Sequence, residues 1–189
     1  MKYFKKLVGD RVYLSPVNPE DVEKYTHWIN NLSLSVKLGV SREVFGIQRE
    51  QEILQDMAKE GHHFAIVSLQ NHELLGSCSL FSIHPVHRTA EAGIFIGEEA
   101  SRGQGFGTEA LQLLCEYGFQ LLNVQNIMLR LYEFNKPALR SYEKAGFREI
   151  GRRTQSYYVN GHYFDEIFME MLPQDLTAHR LSATLPVKP

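Results

Sequence analysis

The sequence has little cysteine, almost no excess charge and no long apolar run. Its two cysteines, Cys78 and Cys115, are far apart and fit no metal-site spacing, so they indicate a reducing compartment. Twenty Lys and Arg against 22 Asp and Glu give a formal charge of −2, which excludes nucleic-acid or membrane binding through a global positive field. No segment approaches the roughly 18 apolar residues of a transmembrane helix, and the first residues lack a signal peptide's apolar core. We therefore expect a soluble, cytoplasmic protein with no nucleic-acid or membrane partner.

The composition is that of a globular chain. Hydrophobic residues make up 43% of the 189 residues and charged residues 22%, which is typical of a folded domain rather than a disordered segment. A chain of this length buries about 70% of its unfolded surface and needs no disulfide or metal to hold it together. We expect one domain over residues 1–172. Residues 173–189 contain three prolines and no strong period, which predicts a tail or a weakly attached helix.

Alternating and helical hydrophobic periods predict a mixture of strands and helices, and hence an α+β, or mixed α/β, fold. The Asn160-Gly161 pair between aromatic runs predicts a β-hairpin over residues 157–164. Residues 31–46 have no clear period and are expected to form a loop. Further strands are predicted at residues 11–17, 64–69, 74–83, 89–97 and 127–132. Helices are predicted at residues 18–30, 48–60, 105–122 and 135–145.

Three glycines, Gly103, Gly105 and Gly107, alternate at the start of the longest predicted helix. Glycine lets the main chain approach a ligand closely, and a helix N-terminus carries about half a positive charge, so this loop suits a diphosphate. A flexible strand-to-helix connection is the alternative. The segment is not a P-loop, because no Gly-Lys-Ser/Thr sequence follows. A dinucleotide fold is disfavoured, since eight residues separate Ile96 from Gly105 and the preceding strands are antiparallel.

Two motifs resemble those of the GNAT N-acetyltransferase superfamily. The first is similar to the family's acetyl-CoA motif, Arg/Gln-x-x-Gly-x-Gly/Ala, and reads Arg102-Gly103-Gln104-Gly105-Phe106-Gly107. The second, residues 135–147, is similar to Asn-x-x-Ala-x-x-x-Tyr-x-x-x-Gly-Phe. The resemblance covers about residues 8–172 and is closest to the branch of ribosomal-protein N-terminal and spermidine acetyltransferases. It implies a mostly antiparallel twisted sheet of about seven strands, splayed between strands 4 and 5 and flanked by about four helices.

The resemblance also implies how acetyl-CoA, the co-substrate, is held. The amides of residues 104–108 are placed at the pyrophosphate, and the main chain of residues 95–97 pairs with the pantetheine arm, one N–H polarising the thioester carbonyl. Arg102 either contacts phosphate or is an exposed loop arginine. Asn135 suits both a helix cap and a contact with CoA. The predicted coenzyme site is Phe95, Ile96, Gly97, Arg102, Gly103, Gln104, Gly105, Phe106, Gly107, Thr108 and Asn135.

Two side chains are predicted to be catalytic. Tyr142 resembles the family's tyrosine that donates a proton to the departing CoA thiolate; packing in the core is the alternative. Glu91 is the first candidate for the base that frees the amine lone pair, directly or through water, although an ordinary cross-strand charge is nearly as good an explanation. Glu133, at the end of the next strand, is the second candidate. Cys115 is not expected to carry the acyl group, because its spacing places it on a buried helix face. The histidines lack metal-site spacing, so no metal is expected.

The resemblance implies an acetyl-CoA-dependent N-acetyltransferase in which a primary amine attacks the thioester directly. A protein or peptide N-terminal amine is the first choice of acceptor, because its pKa of about 7.7–8.0 leaves it partly neutral. A polyamine such as spermidine is second, since residues 31–47 offer a polycation only Glu43 against Lys37 and Arg42. Amino sugars and amino antibiotics are further possibilities. A non-catalytic acyl-CoA sensor is the alternative of another class, and a monomer and a homodimer are both open.

Overall fold

The structure, a computed structural model, describes residues 2–181 and 185–186. Within these residues the chain forms eight strands and five α-helices, and none of the helices is long and apolar enough to span a membrane. The strands are β1 Leu7–Val8, β2 Val12–Pro16, β3 His63–Ser68, β4 Leu74–His84, β5 Thr89–Ile96, β6 Asn126–Tyr132, β7 Arg148–Val159 and β8 His162–Met171. The helices are α1 Val22–Asn30, α2 Leu32–Leu38, α3 Ile47–Glu60, α4 Phe106–Leu121 and α5 Lys136–Ala145.

The strands form one sheet in the order β1-β2-β3-β4-β5-β6-β8-β7. Neighbouring strands are antiparallel except β5 and β6, which are parallel and pair only over residues 89–91 and 126–128. Beyond Glu91 and Met128 no further pairs join these two strands, so a gap opens between them. The predicted fold class is confirmed. The sheet has one strand more than the expected seven because β1 is only two residues long, too short for a periodic signal.

Helices cover both faces of the sheet, and strand residues alternate between two cores. The first core lies under α4 and α5, and the second lies under α1, α2 and α3. In β5, Ile94 and Ile96 pack towards α4, whereas Phe95 packs edge-on against Trp28 of α1. Full burial of each leucine side chain contributes about 1.5–3 kcal/mol to folding. Three leucines of α4 are fully buried: Leu111, Leu113 and Leu114.

The expectation of a loop over residues 31–46 is wrong for its first half, because Leu32–Leu38 form α2. The Asn31 side chain caps this helix by accepting the Ser33 N–H at 3.0 Å, and Gly39 ends it. The helix is only two turns long and contains two serines, which favour caps and turns over helix interiors. Its hydrophobic period is therefore too short to recognise, although α2 covers the site described below.

The expected hairpin is present, with Asn160 and Gly161 at its turn and both φ angles positive, at 51° and 78°. This is the geometry that an Asn-Gly turn requires. The strands extend well beyond residues 157–164, to Arg148 at one end and Met171 at the other. The outer strand β7 lies at the sheet edge and is mostly exposed, so its first residues show no alternation of polar and apolar side chains.

The chain beyond β8 packs against α4. Pro173–Asp175 form a short 3-10 turn, and Leu176 and Leu181 are buried in the core under α4. The Glu116 carboxylate of α4 accepts the backbone N–H groups of Arg180 at 2.7 Å and of Leu181 at 2.9 Å. Residues 182–184 and 187–189 of the predicted tail lie outside the described residues. A domain boundary at residue 172 stays a prediction.

We predict that neither cysteine reacts in the folded protein. Cys78 and Cys115 are both buried, and burial raises the pKa of each thiol well above its usual value. The thiolate is the reactive form, so a disulfide-exchange reagent should find no reactive thiol in native protein and two after denaturation. Spectrophotometric thiol titration with and without guanidinium measures both numbers. A thiol that reacts rapidly in native protein would contradict this burial.

Candidate functional site

A cavity of about 500 Å³ lies in the gap between β5 and β6 and is lined from both faces of the sheet. On one face its walls come from the loop before α4, the first turn of α4, and α5. On the other face they come from α2, the end of β6 and one residue of β8. Five cationic side chains line it against a single carboxylate, that of Glu166. These cations are Lys37, Arg102, Arg130, Arg140 and Lys144.

The end of β5 presents unpaired main chain to this cavity. Gly97 donates its N–H to the Leu75 oxygen at 2.9 Å, so the amides of Gly97 and Phe95 face β4. Strand alternation then turns the amides of Ile94 and Ile96 towards β6, beyond the last β5–β6 pair. Within the predicted segment 95–97, Ile96 is therefore the residue whose N–H faces the gap.

Arg102 is engaged with the same stretch of main chain. Its Nε donates to the Ile96 oxygen and its Nη2 to the Gly97 oxygen, both at 2.9 Å. The guanidinium therefore fixes the end of β5 against the loop before α4. Gly97 itself allows close packing there, because a Cβ at this position would overlap the Trp28 ring. Arg102 also lines the cavity, and its contact with phosphate stays a prediction.

The start of α4 supplies free N–H groups. Gly105 precedes the helix with φ of 89°, and the first i to i−4 bond runs from the Glu109 N–H to the Gly105 oxygen at 3.1 Å. The N–H groups of Phe106, Gly107 and Thr108 therefore have no partner within the helix. All three residues line the cavity, where the helix dipole adds positive potential. This arrangement can hold a diphosphate.

Arg11 supports this loop from the other side, a contact that sequence reasoning missed. Its Nη1 donates to the Gln104 oxygen at 2.7 Å, and its guanidinium stacks over the Phe106 ring at 4.3 Å. The Gln104 side chain bonds back to the Ala100 oxygen, and Gln104 does not line the cavity. No pattern in the sequence connects residues 11 and 104, which meet only because β2 lies beside α4.

Helix α5 brings the second predicted motif to the cavity. Asn135 caps the helix by accepting the Ala138 N–H, and it also lines the cavity. Ser141 contacts Thr108 at 2.8 Å between hydroxyl oxygens and so joins α5 to the first turn of α4. Tyr142 is partly buried on the cavity wall, and its hydroxyl has no hydrogen-bond partner among the described residues. Burial raises the pKa of Tyr142 to about 12, so the phenol keeps its proton at neutral pH.

The predicted bases lie outside the cavity lining. Glu91 pairs with Met128 at the closed end of the gap. Glu133 accepts the Asp165 N–H at 2.9 Å through Oε1 and does not line the cavity either. Glu166 of β8 does line it, and sequence reasoning missed this residue. The register that places Glu166 opposite Tyr132 of β6 is not visible in the sequence.

No group of three or more His, Cys, Asp or Glu side chains among residues 2–181 and 185–186 is arranged to hold a metal ion. The absence of a metal stays a prediction.

Of the predicted coenzyme residues, Gly97 and Gln104 are outside the lining and the other nine are within it. These nine are Phe95, Ile96, Arg102, Gly103, Gly105, Phe106, Gly107, Thr108 and Asn135.

Comparison with known proteins agrees with this geometry. A model of the acetyltransferase (GNAT) domain matches residues 11–148, well over half of the chain. The chain belongs to the GNAT acetyltransferase family. A probable N-acetyltransferase of Bacillus subtilis is 32% identical to it over 184 residues, covering 89% of this chain and 98% of the relative. The family and these relatives make the protein an acetyl-CoA-dependent N-acetyltransferase.

Other relatives of this acetyltransferase carry a named acceptor. The spermidine N(1)-acetyltransferase of Escherichia coli is 27% identical over 179 residues, covering 94% of this chain and 95% of the relative. The crystal structure of the Vibrio cholerae spermidine N-acetyltransferase with CoA and spermine superposes with a TM-score of 0.78 at 24% identity. That superposition covers 87% of this chain and 96% of the other, and it shows a shared fold.

We predict that Gly105→Val weakens CoA binding by this acetyltransferase. Valine at positive φ is strained, so the loop is expected to move and the first-turn N–H groups to lose the diphosphate. Loss of one hydrogen bond to a charged group, about 1.5–3 kcal/mol, corresponds to a roughly ten- to hundredfold rise in Kd, which calorimetry measures. Gly61→Val is the matched control, because Gly61 at the end of α3 has φ of 83° and a Cβ there would meet no atom within 4 Å. The same rise in Kd with both substitutions, or no rise with either, would contradict the assignment of this loop to CoA.

Proposed function

We propose that this acetyltransferase transfers the acetyl group directly from acetyl-CoA to a primary amine, and that a protein or peptide N-terminal amine is the acceptor. One observation carries the proposal. One cavity in the gap between β5 and β6 is lined both by the first turn of α4, whose N–H groups have no partner within the helix, and by Tyr142. A coenzyme entering from the α4 side and an amine entering from the α2 side would meet in that gap.

The coenzyme half is supported by charge and by main-chain geometry. The first turn of α4 offers N–H groups for the two phosphates, and Arg140 and Lys144 of α5 add positive charge to the same side. The main-chain amides of Ile94 and Ile96 face the gap and can pair with the amide groups of a pantetheine arm. The arm would then take the place of a neighbouring strand. The Ile96 N–H is our choice of donor to the thioester oxygen, because that of Gly97 is bound to Leu75.

Tyr142 is proposed to protonate the departing thiolate. Its pKa of about 12 exceeds that of a thiol, about 8.5, so the proton remains on the phenol until the C–S bond breaks. Desolvation is the cause of the raised pKa, and the hydroxyl has no hydrogen-bond partner among residues 2–181 and 185–186. The hydroxyl is therefore available to a ligand in the cavity rather than committed to the core.

The charges on the α2 side of the cavity favour an acceptor whose only positive charge is the reacting ammonium group itself. Lys37 and Arg130 line this end, and Glu166 is its single carboxylate. A second ammonium about 10 Å from either cation would cost of the order of 1–2 kcal/mol at an effective dielectric constant near 20. An N-terminal amine has instead a neutral peptide carbonyl beside it, which these cations can bind.

A polyamine is the second candidate, because several similar proteins are named spermidine N(1)-acetyltransferases. The names of the relatives also favour catalysis over a non-catalytic sensor. Monomer or homodimer and the cytoplasmic location stay predictions from the sequence.

We predict that Tyr142→Phe lowers turnover by about 10²-fold or more and leaves the Kd of CoA unchanged, since only the proton donor is removed. Release of free thiol measures turnover, and calorimetry measures Kd. Tyr158→Phe is the control, because Tyr158 is exposed on β7 and outside the cavity. Unchanged turnover in Tyr142→Phe would remove Tyr142 from the acid role.

We predict that peptides with a free N-terminus are acetylated with a kcat/KM roughly tenfold above that of spermidine, the effect of about 1.4 kcal/mol of charge repulsion. A panel of short peptides, N-blocked peptides containing lysine, spermidine and an amino sugar tests this by mass spectrometry. Preference for spermidine would establish the second candidate. Tight binding of acetyl-CoA with no transfer to any amine of the panel would contradict both acceptor candidates.

A further inference from the structure

Glu166 is a buried carboxylate with unused hydrogen-bonding capacity. Its side chain is only 7% exposed, and it is the one carboxylate among the residues that line the cavity. Oε1 accepts a hydrogen bond from Arg130 Nη1 at 3.1 Å. Oε2 accepts none from the described residues. A buried carboxylate normally has several of its lone pairs satisfied, because desolvation of its charge is costly.

The Arg130 pair occupies only one of the two carboxylate oxygens. The Arg130 side chain is 60% exposed, so solvent screens the interaction, and such pairs contribute about 0–1 kcal/mol. The cavity itself is the remaining source of a donor for Oε2. A donor that enters from the α2 side would complete the carboxylate's hydrogen bonds and neutralise its charge.

We propose that Glu166 binds the ammonium group of the acceptor and takes its proton. This inference rests on the proposed acetyl transfer to an amine. Neither earlier candidate is as well placed, because Glu91 and Glu133 do not line the cavity and Glu133 Oε1 is bound to the Asp165 N–H. Glu166 accepts a hydrogen bond from Arg130 and lies opposite Tyr132 of β6 and Arg153 of β7. Lys37 of α2 lines the same cavity, and Arg42 interacts with Tyr132.

The step balances in atoms and charge. One ammonium proton moves to the Glu166 carboxylate and leaves a neutral amine with a free lone pair. The amine nitrogen bonds to the thioester carbonyl carbon as the C–S bond breaks, and Tyr142 gives its proton to the thiolate. The acetylated nitrogen then loses its second proton, which restores the Tyr142 phenol through water. Glu166 releases its proton to solvent, so one proton is produced for each amide formed.

This role predicts a characteristic pH dependence in the native enzyme. When the enzyme takes up the ammonium form and removes its proton itself, kcat/KM stays nearly level between about pH 6 and the pKa of the acceptor, about 7.7–8.0 for an N-terminal amine. If only neutral amine from solution reacts, kcat/KM rises tenfold for each pH unit over the same range. A tenfold rise per unit in the native enzyme would overturn the proposal.

Glu166→Gln isolates the residue, because glutamine keeps the size and the acceptor for Arg130 but cannot take a proton. We expect kcat/KM of the variant to rise tenfold per pH unit, so that its deficit is about 10²-fold near pH 6 and shrinks towards pH 8. The Kd of CoA should be unchanged, which also verifies folding. Glu170→Gln is the matched control on the same face of β8, outside the cavity, and should retain the native profile.

Three results would overturn the proposal: a Glu166→Gln deficit that is the same at every pH, no deficit at all, or a sloped profile produced by Glu91→Gln instead. The profile is measured with the best acceptor of the panel above. The comparison of amines tests the proposed acceptor class, and the pH profile tests the role of Glu166. Failure of one proposal can therefore be distinguished from failure of the other.

Discussion

The site depends on one constraint, the early end of the parallel pairing between β5 and β6. After three residue pairs the strands separate, and β5 keeps main-chain amides without a partner strand. Unpaired backbone groups in a protein interior require a partner, so the gap is suited to a ligand that pairs like a strand. In this gap the layers on the two faces of the sheet contribute to one cavity, which brings α4 and α5 together with α2.

Much of the fold and of the coenzyme side could be predicted from the sequence because it is local. The strands and helices follow from hydrophobic period, and the Asn160-Gly161 turn follows from backbone geometry. The candidate diphosphate cradle at α4 consists of contiguous residues, 102–108, so glycine spacing and the following helix are enough to predict it. Cys115 was placed on a buried helix face by its spacing, and it is fully buried.

The rest of the site could not be predicted, because strand register and packing assemble it. Glu166 reaches the cavity only through its pairing with Tyr132 in antiparallel register. Arg11 meets the α4 loop from 93 residues away. Arg102 was recognised as part of a motif, yet its two bonds to the carbonyls at the end of β5 depend on the turn that follows this strand. Helix α2 could not be predicted because it is short and contains two serines, although it covers the end of the cavity proposed for the acceptor.

The different surroundings of Tyr142 and Glu166 suit them to opposite roles in the proposed mechanism. Tyr142 is desolvated with no hydrogen-bond partner among the described residues, and burial alone raises its pKa, so the phenol keeps its proton at neutral pH. The Glu166 side chain is only 7% exposed and accepts a hydrogen bond from Arg130 through Oε1, while Oε2 accepts none from the described residues. The acid lies on the α5 side and the carboxylate on β8, across the gap where the thioester would lie. The proton donor and the proton acceptor of the proposed mechanism therefore belong to different faces of the sheet, and both line the cavity between them.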